Sequence, residues 1–203
     1  MCEILFFDID RTIFDTEESG QRIIKSVSRV SHKTINEIER IISNYKSKLE
    51  FSTDFNPNEL LRAIVGETGI GLSVLNQAMF KPENFVLYPE SLILLEKLNR
   101  QGCLLGIFSE GVRAWQMKKL TLTKVAHYIT PSLIIIERRK LLPISVGKLL
   151  VGATVIDDKR YVVETLKQQR HDLNIVWINR KDNESINGVT TIKNLNNLIQ
   201  NYD

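Results

Sequence analysis

The chain has 203 residues, 43% of them hydrophobic and 25% charged, enough for one well-packed core, alone or with a small accessory domain. Its formal net charge of +3, from 27 basic and 24 acidic residues, is too evenly balanced for the clustered basic footprint of a nucleic-acid-binding protein, yet it tolerates an anionic small substrate. The two cysteines, Cys2 and Cys103, make neither a disulfide framework nor a metal-ligand spacing, and Cys103, beside an apolar run, reads as a small core residue. No apolar stretch reaches the length of a membrane span, and the run from Met1 into Ile4 lacks the basic start and longer apolar segment of a signal peptide. The expected location is cytoplasmic, with neither nucleic acid nor membrane as a partner.

The segment Glu3 to Ile9 is an apolar run ending in acids, as expected of a strand buried on both faces. Asp15 then opens a helix as its cap, with Glu18 placed to reach back. From there to about residue 85 four apolar stripes recur at helical spacing. They are Ile23, Ile24, Val27 and Val30; Ile35, Ile38, Ile41, Ile42, Tyr45 and Leu49; Leu60, Leu61, Ile64 and Val65; and Val74, Leu75, Ala78 and Met79. Breaks are expected at 31–33, 51–58 and 66–71, where turn-forming residues collect. Pro89 starts a helix that stops near Gly102. Strands are then predicted at 104–109, 133–136, 153–157, 174–178 and 190–192, with helices at 112–120 and 160–169 and a last one through Leu195 and Leu198. This alternation predicts an α/β fold, a Rossmann-like parallel sheet built from residues 1–14 and 86–203. The all-helical block, residues 15–85, interrupts it as an inserted cap.

Open parallel sheets bind ligands beyond the carboxyl ends of their strands. The first strand ends in Asp8-Ile9-Asp10-Arg11-Thr12, the one at 104–109 in Ser109, and the one at 153–157 in Asp157-Asp158. Four carboxylates at one sheet edge repel one another and call for a cation, and oxygen-rich sites suit Mg²⁺.

With these residues in view, the chain resembles the haloacid dehalogenase (HAD) superfamily along essentially its whole length. The four motifs of that family occur in order: Asp-x-Asp-x-Thr after an apolar strand (FFDIDRT), a Ser ending a strand (LLGIFS), a Lys, here Lys140, 31 positions after Ser109, and paired acids after an apolar strand (TVIDD). The insert after the first motif resembles that family's C1-type cap. The resemblance implies a phosphatase acting on a small phosphorylated substrate, with Asp8 as the nucleophile and Asp10 as the acid/base. Thr12, Ser109 and Lys140 would bind the phosphoryl group. Asp8, Asp157, Asp158 and the main-chain carbonyl of Asp10 would bind Mg²⁺.

Each assignment has a plainer alternative. Asp8 and Asp10 could be turn residues. Ser109 or Asp157 and Asp158 could cap the helices that follow them. The run Glu137-Arg138-Arg139-Lys140 could be solvated surface, with Lys148 as the reserve lysine. Two positions depart from the family pattern: Arg11 stands where Gly is usual, and Val162 where the longer form of the last motif has an acid. Phosphoryl transfer to another hydroxyl, as in phosphomutases, and a non-catalytic binding role are the competing functions.

Overall fold

The computed structural model describes residues 3–199; Cys2 lies outside them. The described residues form one six-stranded parallel sheet in the order β3-β2-β1-β4-β5-β6. Its strands are β1 Ile4–Phe7, β2 Leu104–Glu110, β3 Ile134–Glu137, β4 Thr154–Asp157, β5 Asn174–Ile178 and β6 Thr190–Ile192. From β1 the chain builds outward through β2 to β3, then returns to the other side of β1 for β4. That reversal leaves a crevice at the carboxyl ends of β1 and β4.

Alternation along the strands sends side chains to two cores. Leu5 and Phe7 of β1, with Leu105 and Ile107 of β2, pack under α5 (Pro89–Arg100), α6 (Arg113–Leu122) and α9 (Asn196–Ile199) through Leu94, Leu98, Leu120 and Leu198. Phe6 and Phe108 face the opposite side, toward α7 (Pro143–Val146) and α8 (Arg160–Gln169), where Val146, Val162 and Leu166 cover them. Cys103 packs, half-buried, against the first core.

Gly106 of β2 is paired with Phe6, and a Cβ there would sit 2.6 Å from the Phe6 ring and 2.8 Å from the Leu133 carbonyl oxygen. A central sheet position next to a fully buried ring has no room to yield. Gly106→Ala is therefore expected to destabilise the protein by about 2 kcal/mol or more, the cost of overpacking a core, as measured by urea denaturation. An unchanged midpoint would contradict the tight fit of Phe6 over β2.

Between β1 and α5 lie α1 (Thr16–Ser31), α2 (Ile35–Lys46), α3 (Pro57–Thr68) and α4 (Leu72–Met79). Their inward stripes form a separate apolar cluster that includes Val27, Ile38, Leu61, Ile64 and Leu75. Local sequence explains the boundaries. Asp15 caps α1 by accepting from the Glu18 amide at 3.0 Å. The expected return contact of Glu18 is absent, because its carboxylate pairs with Arg22 one turn on. Thr34 and Glu37 make a reciprocal capping box on α2. The break expected at 66–71 falls within that stretch: α3 runs to Thr68, and Gly69 ends it in the left-handed region at φ 70°, a conformation glycine adopts without steric cost. No helix among the described residues is long and apolar enough to cross a membrane.

The segment Phe51–Asp54 joins α2 to α3 and reaches back to the sheet. Arg138 donates to Asp54 at 3.0 Å, and Arg139 donates to Thr53 and Asp54 while its guanidinium lies 3.9 Å over the Phe51 ring. The basic run at 138–140 is thus not uniformly solvated surface.

Candidate active site

The strand β1 stops at Phe7, and residues 9–14 fold into a turn in which the amides of Ile13 and Phe14 donate to the Ile9 carbonyl at 3.2 and 3.0 Å. Strand alternation therefore does not align Asp8 with Asp10. Asp8 stays at the sheet edge, its amide donating to Ile156 O of β4 at 2.9 Å, while the turn carries Asp10 toward α6. Arg11 occupies the left-handed region at φ 60°, which explains the usual glycine at this position in purely conformational terms. Its Nε donates to Glu17 at 2.6 Å on the surface. Arg180, just beyond β5, clamps the turn by donating to the carbonyls of Arg11 (3.1 Å) and Thr12 (2.9 Å) and to Glu90 (2.8 Å).

Asp8, Asp157 and Asp158 converge at the crevice, each offering an oxygen within 4.8 Å of the others. Lys140 is fully buried among them. Its Nζ donates to Asp8 Oδ1 at 2.9 Å, to the Phe108 carbonyl at 3.3 Å, and to Asp157 Oδ2. Asp157 also accepts from the Lys159 amide at 2.9 Å. The remaining oxygen, Asp158 Oδ1, is buried without a partner. Burial would lower the Lys140 ammonium, but the charges of Asp157 and Asp8 outweigh it and hold it well above its ordinary value. One lysine does not neutralise three acids, however. Burial first, and then the charges of Asp8 and Asp157, push the Asp158 carboxyl up to about 8. Burial, opposed by Lys140 and assisted by Asp8, puts Asp157 at about 6. An orphaned carboxylate oxygen beside two more hard oxygen donors is the donor set of a divalent cation site.

The same crowding of charge predicts how the metal-free protein responds to pH. In the unfolded chain both acids ionise near 3.8, whereas folded Asp157 and Asp158 hold their protons to about 6 and 8. The folded state binds more protons across that interval, so stability falls as pH rises from about 4 to 8. Thermal unfolding in EDTA is expected to show this slope, and added Mg²⁺ to flatten it; equal slopes in both buffers would contradict cation binding here.

Asp10 does not join the three acids, because α6 claims its carboxylate. Lys119 Nζ donates to both oxygens at 2.6 and 2.7 Å, Gln116 Nε2 donates at 2.8 Å, and the Thr16 hydroxyl at 2.7 Å. Burial alone would raise this carboxyl, but Lys119, with Gln116 and Thr16, holds it down at about 2. Of the metal candidates, Asp10 can thus contribute its main chain only.

Ser109 is buried at the end of β2 in register with Ile136. The helix after it is capped at Val112, not at Ser109. Thr12 is fully buried, and its hydroxyl has no partner. Lys148 lies on the surface, paired with Glu137 at 2.9 Å, so of the two lysines it is Lys140 that lies among the acids. Glu110, following Ser109, accepts from Lys159 (2.7 Å) and Tyr161 (2.9 Å). A cavity of about 470 Å³ opens from Asp10, Glu110 and Lys159 into the space beneath α1 and α2.

Sequence reasoning missed Lys119, Gln116 and Arg180. A signal existed for the first two: with Val112 they fall at i, i+4 and i+7 on the inward stripe of the predicted helix, where polar residues require partners.

The chain matches the family model of haloacid dehalogenase-like hydrolases over residues 5–138. No curated protein matches it. Among solved structures it is similar to the HAD phosphatase of Thermococcus onnurineus, at 24% identity and a TM-score of 0.66 over 98% of this chain and 97% of that one. Magnesium-bound YfnB of Bacillus subtilis gives 16% identity and a TM-score of 0.67 over 100% and 99%. The L-2-haloacid dehalogenase of Xanthobacter autotrophicus gives 13% and 0.63 over 98% of each chain. At these identities the likeness is one of fold.

Proposed function

The chain belongs to the haloacid dehalogenase-like hydrolases, and from that premise we propose that it is a Mg²⁺-dependent phosphatase acting on a small phosphorylated substrate through Asp8. The observation that carries this reading is the buried group of Asp8, Asp157 and Asp158 around Lys140, with one carboxylate oxygen left unpartnered. Carbon–halogen hydrolysis has no use for that surplus of negative charge, whereas an incoming phosphoryl group needs the cation it would recruit.

Asp8, Asp158 and the main-chain carbonyl of Asp10 would hold Mg²⁺, with Asp157 beside them. When bound, the ion supplies positive charge against the phosphoryl oxygens. Asp8 attacks phosphorus as a carboxylate, which needs no activating base at neutral pH. Lys140, Ser109 and Thr12 orient the phosphoryl oxygens. The Lys119–Asp10 pair holds the proton that goes to the leaving alcohol. Once that proton has left, the pair takes one from the water that hydrolyses the aspartyl-phosphate. Charge neutralisation and alignment supply most of the rate in such transfers. We assign residues 15–85 as the cap that closes over the substrate and excludes bulk water, and residues 1–14 and 86–203 as the catalytic core.

The test is phosphate release from acetyl phosphate and 4-nitrophenyl phosphate with Mg²⁺ or EDTA, together with acid-quenched trapping of ³²P on the protein. Metal-dependent release with label retained on Asp8 supports the proposal, and absence of both defeats it. Transfer of the label to an added alcohol instead of water would point to a phosphotransferase.

A further inference from the structure

The cavity beyond Asp10 differs sharply in character from the acidic edge beneath it. Its walls under the helical block are formed by Ile23, Ile24, Ile42, Leu49, Leu60 and Met79, with Phe55 and Trp115 as aromatic panels. Several polar side chains in the lining are engaged within the protein. Thr16 donates to Asp10, the Ser19 hydroxyl accepts from the Val86 amide at 2.9 Å, Thr53 accepts from Arg139, and Lys159 donates to Glu110. Lys46 and Ser52 are exposed. Among the described residues, one buried side-chain polar atom of the wall has no partner, Gln116 Oε1. The amide is fixed in this sense, because its Nε2 faces two acceptors, Asp10 Oδ2 at 2.8 Å and the Glu110 carbonyl at 2.7 Å.

We propose that the substrate is the phosphate ester of a compact apolar alcohol, carrying at most one hydrogen-bond donor beside the phosphate, and not a sugar or polyol phosphate. This rests on the phosphatase reading above and adds the leaving group to it. The volume of about 470 Å³ is that of a small-molecule site. That is room enough for a six-membered ring and its methylene, with Asp10 in the wall on the side of the phosphoryl site. A hexose phosphate of the same outline would bring several hydroxyls against aliphatic and aromatic walls that hold one buried unpartnered polar atom, Gln116 Oε1. Each hydroxyl stripped of water without a partner weighs against binding.

The discriminating pair is cyclohexylmethyl phosphate and glucose 6-phosphate, two primary esters of similar ring shape. Acetyl phosphate serves as a substrate with no body to fill the cavity. With the full chain and Mg²⁺, kcat/KM for the cyclohexyl ester is expected to exceed that for the sugar ester by roughly 100-fold, the scale on which an apolar pocket rejects a hydroxyl. Leu49→Asn, which adds a polar group to the wall, is expected to narrow that ratio by roughly tenfold. Hydrolysis of acetyl phosphate without a preference for the cyclohexyl ester, or a ratio unmoved by Leu49→Asn, overturns the substrate class and leaves the phosphatase reading intact. No hydrolysis of any of the three overturns both.

Discussion

Asp8→Asn is expected to lower phosphate release by roughly 10⁴-fold or more, the scale of losing a covalent nucleophile, while the protein stays folded. The amide keeps the shape of the carboxylate but lacks the charge that attacks phosphorus. Its effect on stability should run the other way. Asp8 is one of the charges that push the neighbouring carboxyls of Asp157 and Asp158 upward, and removing it relieves that repulsion, while Lys140 keeps Asp157 as its partner. Thermal unfolding without metal should therefore be unchanged or shifted upward in the variant. Near-normal turnover would remove Asp8 from the mechanism. A large drop in melting temperature would show instead that its contact with Lys140 is chiefly structural.

Lys140→Met should act on both fold and rate. The lysine is wholly buried and is the only cation in direct contact with Asp8 and Asp157 among the described residues. Removing one partner of a buried ion pair costs about 3–5 kcal/mol, because the charge left behind has neither water nor a counter-ion. In EDTA at neutral pH the melting temperature should fall by about 10 °C, given the few degrees per kcal/mol typical of a domain this size. Added Mg²⁺ should recover part of that loss, since a ligand that binds only the folded state stabilises it. Turnover should drop by about 10²–10³-fold, as when one donor to the developing phosphoryl charge is lost. Lys148→Met is the control: Lys148 is half-exposed and paired with Glu137 on the surface, where such pairs contribute little. If the two variants behaved alike, Lys140 would not be the lysine of the site.

What the sequence makes legible here is what neighbouring residues decide. Apolar runs with alternating strands and helices gave the parallel sheet, and Asp8, Ser109 and Asp157 were found because each stands where an apolar strand runs out. The cap at Asp15 and the start of α5 at Pro89 likewise depend on residues a few positions apart. Contacts decided by the assembled fold were not legible. Asp10 meets Lys119 across 109 positions and Arg180 meets Thr12 across 168, and nothing local announces either pairing. The turn after β1 was hidden for a related reason. Past Phe7 the Ile9 carbonyl gathers the amides of Ile13 and Phe14, and the apolar run before it gives no sign of where the strand ends. Val162 and Val163, by contrast, behave as the helical pattern requires and are fully buried.

Arg138, Arg139 and Lys140 are consecutive, yet the first two hold Asp54 of the helical block while the third holds Asp8 and Asp157. The Phe51–Asp54 segment and the acidic crevice are therefore both held from one short stretch of chain after β3, so a substitution that shifts this stretch is felt at both.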